Sequence, residues 1–422
     1  MFSRVGAKAL KTDLRNTLEL LKELGDPQKN LQCIHVAGTN GKGSVSHMMA
    51  AILQEHEFKT GLYTSPHLTD FRERIRINGT WIDEESVVAI TEKLKPAIES
   101  FEPSFFEVTV AMTLDYFAQQ QVDIAIMETG LGGLLDSTNV VDPEISIITN
   151  IGFDHMSILG ETLEKIAEQK AGIIKPGRPV VIGETHPETE MVFRQKAAET
   201  GSEIIFADQE YAIGDVPGSP TELQIGLISK RSGEHIKISC DLPGNYQRLN
   251  VRTAWTAAEV LKEKGWNLDD QKTILAFSKV KGSTGLRGRW EVLGSNPYLV
   301  LDVAHNPHGM NLVVEQLKSM QREAEGRRIH MVIGMVKDKE IAEVIRLLSP
   351  EWKYYFTHVH SARQFPAAGL RDLGAHYGLK GGAFENVNEA LKAALNAADG
   401  RDVVIVCGSV FLVGELDRES LC

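Results

Sequence analysis

The strongest constraint on this chain is the run Ile34-His35-Val36-Ala37-Gly38-Thr39-Asn40-Gly41-Lys42-Gly43-Ser44, with the segment that follows it to Gln54. A short apolar run, then glycines, then a longer apolar segment predicts a buried strand, a tight loop and a helix. Glycines let backbone N–H groups approach oxygen atoms closely, and a helix N-terminus favours anionic charge. Lys42 can reach phosphates and the Ser44 hydroxyl can ligate Mg²⁺, so the layout is that of a phosphate-binding loop. The usual Gly-x4-Gly-Lys-Ser/Thr spacing is not met, because Gly43 separates Lys42 from Ser44. A glycine-rich turn without a ligand is the plainer alternative, and the strand–loop–helix context weighs against it.

Strands and helices alternate around this loop. Residues 12–25 are expected to form an amphipathic helix, with Leu14, Leu18, Leu21 and Leu24 at helical spacing. A second strand is expected over 59–64, helices over 84–99 and 105–119, and buried strands over 122–127 and 145–149. A helix over 162–174, stopped by Pro176-Gly177, leads to a strand at 179–182. This order implies an α/β fold with a mostly parallel sheet flanked by helices. Ligands gather outside the carboxyl ends of such strands. Ser44, Ser65, Glu128 and His155 all fall at strand ends or at a helix start just beyond one. Short alternating runs over 205–241 suggest a small antiparallel excursion, followed by a helix near 247–264. Residues 282–288 are the best linker candidate. A second α/β pattern then begins, with strands at 298–303, 329–334, 353–357 and 403–407 and helices at 309–323, 339–348 and 387–397. Two domains are expected, 1–284 and a smaller Rossmann-like 285–422.

The formal net charge of −12 over 422 residues excludes a nucleic-acid-binding protein of the basic-patch kind. Cys33, Cys240, Cys407 and Cys422 form no CxxC, and three lie in or beside apolar runs, so no disulfide framework and a reducing compartment are expected. The N-terminus is basic (Arg4, Lys8, Lys11) without the apolar core of a signal peptide, and no apolar run is long enough to span a bilayer. A cytoplasmic location, with neither membrane nor nucleic acid as partner, is expected.

Several residues carry candidate chemistry. Glu128 and His155 could coordinate Mg²⁺ with the hydroxyls of Ser44 and Ser65, since magnesium prefers oxygen ligands and one carboxylate plus phosphate oxygens suffices. Lys170 shares a helical face with Leu163, Ile166 and Ile173. Periodicity alone favours a lysine that snorkels to solvent. The sharper alternative is a carbamate formed with CO₂, which requires a neutral amine and yields a carboxylate. Arg72, Glu73, Arg74 and Arg76 lie close together within 71–77, where a solvated strand face is the plain expectation. Asp302 ends a strand, and with His305 could face a nucleotide at the sheet edge.

Together these motifs resemble the folylpolyglutamate synthase/dihydrofolate synthase family of the Mur-ligase-like superfamily. The residues that carry the resemblance are Gly38 to Ser44, Ser65-Pro66-His67, Phe71 to Arg76, Glu128-Thr129-Gly130-Leu131-Gly132-Gly133 with Asp136-Ser137-Thr138-Asn139, Asp154-His155, Lys170 to Lys175, Gly288-Arg289, Asp302 to Pro307 and Gly408-Ser409. The likeness implies a Mur-ligase-like central domain and a second domain, with ATP between them. It implies ATP contacts from Asn40, Gly41, Lys42, Gly43, Ser44, Asn250, Arg289 and Asp302. Magnesium, as one or two ions, is implied at Ser44, Ser65, Glu128 and His155, and the carbamylated lysine at Lys170. The pterin substrate is implied near Phe105, Phe106, Glu107 and Val108 and near Leu135, Asp136 and Ser137. The family's usual arginine is Leu134 here, its glutamate before the modified lysine is Gln169, and its histidine before Gln247 is Tyr246.

The activity implied is ATP-dependent addition of L-glutamate to tetrahydrofolate and to 7,8-dihydropteroate by a single chain. A carboxylate attacks the γ-phosphate to form an acyl phosphate, and the glutamate amine displaces phosphate. Lys42, Mg²⁺ and Arg289 would supply positioning and charge neutralisation, and His305 would orient phosphate or move a proton. A peptidoglycan Mur ligase shares the chemistry but carries a domain before its phosphate loop, which is not expected with the loop starting at Gly38. Folylpolyglutamate synthesis alone and nucleotide binding without ligase activity are two further readings of the same residues.

Overall fold

The computed structural model describes residues 13–215, 222–337 and 340–419. Thr12, the basic N-terminal residues and Cys422 lie outside the described residues. The chain forms two compact units. One takes in the chain up to Gly152, Met156–Asp241 and Tyr246–Leu286, and the other Phe153–His155, Leu242–Asn245 and the chain from Arg287. Neither short excursion carries a shift in composition that the sequence would reveal.

The first unit is built on an eight-stranded sheet of order β4-β3-β2-β5-β1-β6-β7-β8. Its strands are β1 (Cys33–Ala37), β2 (Thr60–Tyr63), β3 (Ile75–Ile77), β4 (Thr80–Trp81), β5 (Ile124–Glu128), β6 (Ile145–Ile148), β7 (Val180–Ile182) and β8 (Ile204–Phe206). From β2 through β8 in that order neighbours pair in parallel, and β3 and β4 are an antiparallel edge. Every residue of β1, β5 and β6 is buried, as the continuous apolar runs require of strands covered on both faces. One face packs on α1 (Arg15–Glu23) and on α4 (Phe105–Gln119) beside α3 (Glu84–Phe101), around Leu20, Val110, Leu114, Phe117 and Met127. Another cluster gathers Ile148, Ala167, Ile173 and Val180 beneath α5 (Leu163–Ala171), with Phe193 from α6 (Glu190–Thr200). Helix α2 (Lys42–Glu55) is buried from Gly43 to Leu53, as a helix apolar on all sides must be. A three-stranded antiparallel sheet, β9 (Tyr211–Asp215), β10 (Leu223–Ser229) and β11 (His235–Cys240), precedes α7 (Gln247–Glu263) and α8 (Asp270–Phe277).

Two expectations are corrected here. Residues 71–77 are not one solvated strand: Phe71–Arg74 is a 3₁₀ turn, and Arg74 and Arg76 are buried. Arg76 donates to the carbonyls of Glu73, Thr284 and Gly285, so backbone acceptors replace the water that exposure would have supplied. The linker candidate 282–288 also begins inside a short helix, Val280–Thr284, which ends at the left-handed Gly285.

The second unit holds a six-stranded sheet of order β12-β13-β17-β14-β15-β16. Its strands are β12 (Glu291–Ser295), β13 (Tyr298–Leu301), β14 (Ile329–Ile333), β15 (Lys353–Phe356), β16 (Lys380–Ala383) and β17 (Val403–Cys407), parallel apart from the β12 edge. Helices α9 (Pro307–Glu323), α10 (Ile341–Arg346), α11 (Ala367–His376) and α12 (Val387–Ala397) connect them. Cys33, Cys240 and Cys407 are buried and form no disulfide among the described residues. No helix among the described residues is long and apolar enough to cross a membrane.

Candidate active site

The central strand β1 has its later neighbours on both sides, and the loop at its carboxyl end is the crevice position of an open α/β sheet. The chain leaves β1 through Gly38 and Gly41, both at positive φ. A Cβ on Gly41 would lie 2.3 Å from Asn250 Oδ1, and one on Gly38 1.8 Å from Thr149 Oγ1, so only glycine lets this loop pass. The segment after β6 pins it: Thr39 N–H donates to Asn150 O (2.9 Å), and Asn40 N–H to Asn150 Oδ1 (3.0 Å). Gly41 caps α2, whose first turn carries Lys42, Gly43 and Ser44. Lys42 Nζ donates to Gly38 O at 2.9 Å and Thr39 O at 3.2 Å. The Ser44 hydroxyl accepts from Gln247 Nε2 (3.2 Å), and Gln247 Oε1 accepts from Asn250 Nδ2 (2.7 Å). Asn40 to Ser44 and Asn250 are therefore brought together.

Glu128 ends β5, the strand beside β1, with its α-carbon paired to Val36. Its Oε2 accepts from Ser65 N–H at 3.1 Å, so the Ser65 loop beyond β2 meets the Glu128 carboxylate. Ser44 opens α2 beyond β1, and Ser65 and Glu128 lie at or just beyond the ends of β2 and β5, so their oxygen atoms belong to the carboxyl end of one sheet. Such oxygens suit Mg²⁺, and the helix N-terminus suits a phosphate group.

Lys170 does not snorkel. Its side chain is buried and Nζ donates to Gly38 O at 2.7 Å. The snorkelling expectation fails because α5 turns its apolar face onto the core and leads Lys170 to the phosphate loop.

The loop between β5 and the turn at Ser137–Val140 is held from within. Asp136 Oδ2 accepts from the N–H groups of Gly130 (2.9 Å) and Leu131 (2.8 Å), and Oδ1 from Thr138 N–H (3.0 Å) and hydroxyl (2.5 Å). Burial nevertheless holds its carboxyl above the usual carboxylate range. Leu134 and Leu135 are exposed, whereas Asp136 and Ser137 are buried. Leu134 is fixed through its backbone, its N–H donating to Gln169 O (2.7 Å) and its carbonyl accepting from Asn139 Nδ2 (2.9 Å).

Phe105 and Glu107 open α4. Glu107 is buried in a capping box with Ser104, while Phe105 is among the exposed large apolar residues. The Arg74 guanidinium lies 5.5 Å from the Phe105 ring centroid, Phe71 stands edge-on to that ring, and Phe106 packs towards Tyr63. Arg74 Nε donates to His67 Nδ1 at 2.9 Å, and burial together with Arg74 pushes His67 below its ordinary pKa. Sequence reasoning misses His67 and Arg74 as contributors to this aromatic face, and their membership of two motifs is the signal that could have found them. Val108 is partly buried and packs against the α1/α4 core.

In the second unit, Asp302 follows β13. Its Oδ2 accepts from Trp290 N–H (2.8 Å) and its Oδ1 from Ala304 N–H (2.8 Å), tying the Arg289 segment to the His305 segment. His305 Nδ1 donates to Val303 O (2.8 Å), which places Nε2 3.6 Å from Asp154 Oδ2. Asp154 Oδ2 also accepts from Asn306 Nδ2 (3.1 Å), and His155 Nε2 lies 3.8 Å from Oδ1. Asp154, a motif residue with no role apparent from sequence, thus faces both candidate histidines.

Comparison with known proteins agrees with these features. The Mur ligase middle domain matches residues 36–258, and the Mur ligase glutamate ligase domain matches residues 288–410. The dihydrofolate synthase/folylpolyglutamate synthase of Bacillus subtilis is 35% identical over 427 residues, covering 97% of this chain and 95% of its own. The structure of E. coli FolC in complex with DHPP and ADP has a TM-score of 0.86 at 27% identity, covering 99% of this chain and 96% of that one. A bifunctional folylpolyglutamate synthase/dihydrofolate synthase with Mn, AMPPNP and L-glutamate bound has a TM-score of 0.83 at 30% identity, covering 98% and 95%. The chain belongs to the folylpolyglutamate synthase/dihydrofolate synthase family of Mur ligases.

Proposed function

We propose that the chain joins L-glutamate to the carboxyl end of a reduced folate, and to 7,8-dihydropteroate, in an ATP-dependent reaction. The observation that carries this reading is the meeting of the phosphate loop, the Ser65–Glu128 pair and Lys170 Nζ at the carboxyl end of one sheet. A carboxylate is a poor acyl donor. Its oxygen attacks the γ-phosphorus of ATP, ADP leaves, and an acyl phosphate results. The uncharged amine of glutamate attacks the acyl carbon, inorganic phosphate leaves, and the nitrogen loses a proton to form the amide.

In this reading the N–H groups of Asn40 to Ser44 and the Lys42 ammonium bind the phosphates, with Asn250 beside them. Arg289 and Asp302 serve the nucleotide, and His305 orients phosphate or takes the proton. Ser44, Ser65, Glu128 and His155 would hold Mg²⁺, which when bound neutralises phosphate charge. Lys170 serves as a carbamate. Phe105, Phe106 and the 135–137 segment take the pterin, and Glu107, Val108 and Asp136 support those positions from beneath. The single chain is the working unit, and the buried thiols suit the reducing cytoplasm.

Phosphate release is the test, measured with ATP and Mg²⁺ and with dihydropteroate or tetrahydrofolate separately, each with and without glutamate. Release that needs both an acceptor and glutamate, with the glutamylated product seen by mass spectrometry, is expected. ATP binding with no acceptor-dependent turnover would overturn the reading.

A further inference from the structure

His35 stands in the middle of β1, fully buried, two residues before the strand ends. Its Nε2 lies 2.8 Å from Thr138 Oγ1, and the Thr138 hydroxyl donates its hydrogen to Asp136 Oδ1. A hydroxyl has one hydrogen to give, so Thr138 Oγ1 must accept here and His35 must carry its proton on Nε2. The other ring nitrogen, Nδ1, has no hydrogen-bond partner among the described residues. A buried acceptor left unpaired is unfavourable, and a residue that merely filled the core would avoid it.

The chain of bonds continues. Asp136 gathers Gly130 and Leu131, the same loop returns through Leu134 N–H to Gln169 O, and the next residue, Lys170, donates Nζ to Gly38 O. Gly38 lies three residues beyond His35. The ring therefore closes on β1, running from His35 through Thr138, Asp136, the 130–134 loop and Gln169–Lys170 back to Gly38. A Cβ on Gly133 would sit 2.8 Å from Gln169 O, so the loop has little room to move on that side.

We propose that His35 is a positioning residue, which through Thr138 and Asp136 sets the 130–137 loop, without itself touching substrate. The proposal rests on the reading that this loop serves the acceptor.

His35→Met keeps a similar volume and removes the donor, whereas His35→Gln restores an N–H at the Nε2 position. With full-length protein, His35→Met is expected to raise the KM for tetrahydrofolate about tenfold, as loss of a supporting partner typically does. Binding of a fluorescent ATP analogue should change less than about twofold, the scatter a distant change leaves. His35→Gln should recover most of the loss. A core-filling role would lower the melting temperature of both variants and leave the ratio of the two affinities unmoved. If His35→Met does not fold, Thr138→Val cuts the same link and should show the same split. Amide hydrogen exchange over residues 130–136 needs no turnover and should quicken in His35→Met or Thr138→Val. Unchanged exchange and an unchanged acceptor KM sink the proposal. A wild-type enzyme with no acceptor-dependent turnover sinks the ligase reading instead, and exchange then decides the positioning role alone.

Discussion

Lys170 and Lys42 donate to the same oxygen: the Gly38 carbonyl accepts from Lys170 Nζ at 2.7 Å and from Lys42 Nζ at 2.9 Å. Two ammonium groups converging on one acceptor repel, and the deeper one is also cut off from water, so the charge at Lys170 is costly to bury. The proposed carbamate removes that cost: the lone pair of the unprotonated amine attacks the carbon of CO₂, a proton leaves the nitrogen, and the resulting N-carboxylate is attracted towards Lys42. Under ¹³CO₂ the wild type is expected to show a carbamate carbon resonance that Lys170→Ala lacks. Lys170→Ala should lose kcat by about 100-fold or more, the scale of removing a placed charge from a dry site. A short-chain carboxylate such as acetate should restore part of it. Full activity in Lys170→Ala would remove the carbamate from the mechanism.

Gly41→Ala tests the loop itself. The position has φ +83, and the added Cβ would meet Asn250 Oδ1 at 2.3 Å. Left-handed backbone costs a non-glycine residue about 1–2 kcal/mol, and Asn250 must move as well. A lower urea midpoint is expected, with affinity for a fluorescent ATP analogue reduced about tenfold because N–H groups aimed at phosphate shift with the loop. Unchanged nucleotide affinity would mean that the loop does not hold phosphate.

The parts of this site that the sequence disclosed are those in which backbone and side chain must cooperate over a few residues. Gly38 to Ser44 demanded a strand, a turn and a helix, and Glu128 could be placed because a buried strand had to end there. Lys170 shows the boundary: periodicity put it on the apolar face of its helix but favoured a side chain that snorkels to solvent, and only the packing of α5 reveals that Nζ is buried against Gly38 O. Asp154 stood in a motif without a role, because its partners, His305 and Asn306, are more than 150 residues away in sequence. His35 read as one more residue of a buried strand. Arg74 and Arg76 were misplaced for a related reason, since the Phe105 ring that Arg74 faces and the Thr284 and Gly285 carbonyls that accept from Arg76 leave no local trace.

His35 also gives a pH signature of stability. Burial holds its pKa at about 3, well below the ordinary imidazole value. Between pH 6.5 and 3 the unfolded chain binds a proton that the folded chain refuses, so stability is fully present above that window and falls as pH drops through it. One such proton contributes a slope approaching about 1.4 kcal/mol per pH unit. Urea unfolding of wild type and His35→Met at several pH values between 4 and 7 should show a shallower decline in the variant. His67 and His330, also lowered by burial, keep a residual slope in both. Parallel curves would mean that His35 binds its proton in the folded state.

Leu134, where the sequence resemblance implies an arginine, has its backbone fixed and is 44% exposed. Since the backbone makes the bonds, Leu134→Arg should leave the melting temperature nearly unchanged, within about 0.5 kcal/mol of stability. A cation added beside the acceptor loop should lower the KM for a carboxylate-rich polyglutamyl acceptor, and the gain should fade with added salt. A gain that ignores salt would point to packing instead of charge.

Asp154 is the carboxylate that His155 and His305 both face, at 3.8 and 3.6 Å from Nε2. Neither distance is a hydrogen bond, so its influence on the rings is electrostatic. Asp154→Asn preserves shape and removes the charge, and its one amide oxygen can keep the bond from Asn306 Nδ2 while the bond from His155 N–H is given up. If His155 holds metal and His305 handles phosphate or a proton, losing that charge should weaken both roles. Mg²⁺ titrations of turnover should then need more metal for half-saturation, and kcat should fall about 10- to 100-fold, the usual consequence of losing a group that supports a ligand. The melting temperature should barely move, because the bond to Asn306 survives. Asp154→Ala, which cuts that bond as well, should lose stability in addition. Were Asp154→Asn to keep wild-type metal dependence and kcat while Asp154→Ala lost only stability, the carboxylate would be a brace for Asn306 at the start of α9, and neither histidine would depend on it.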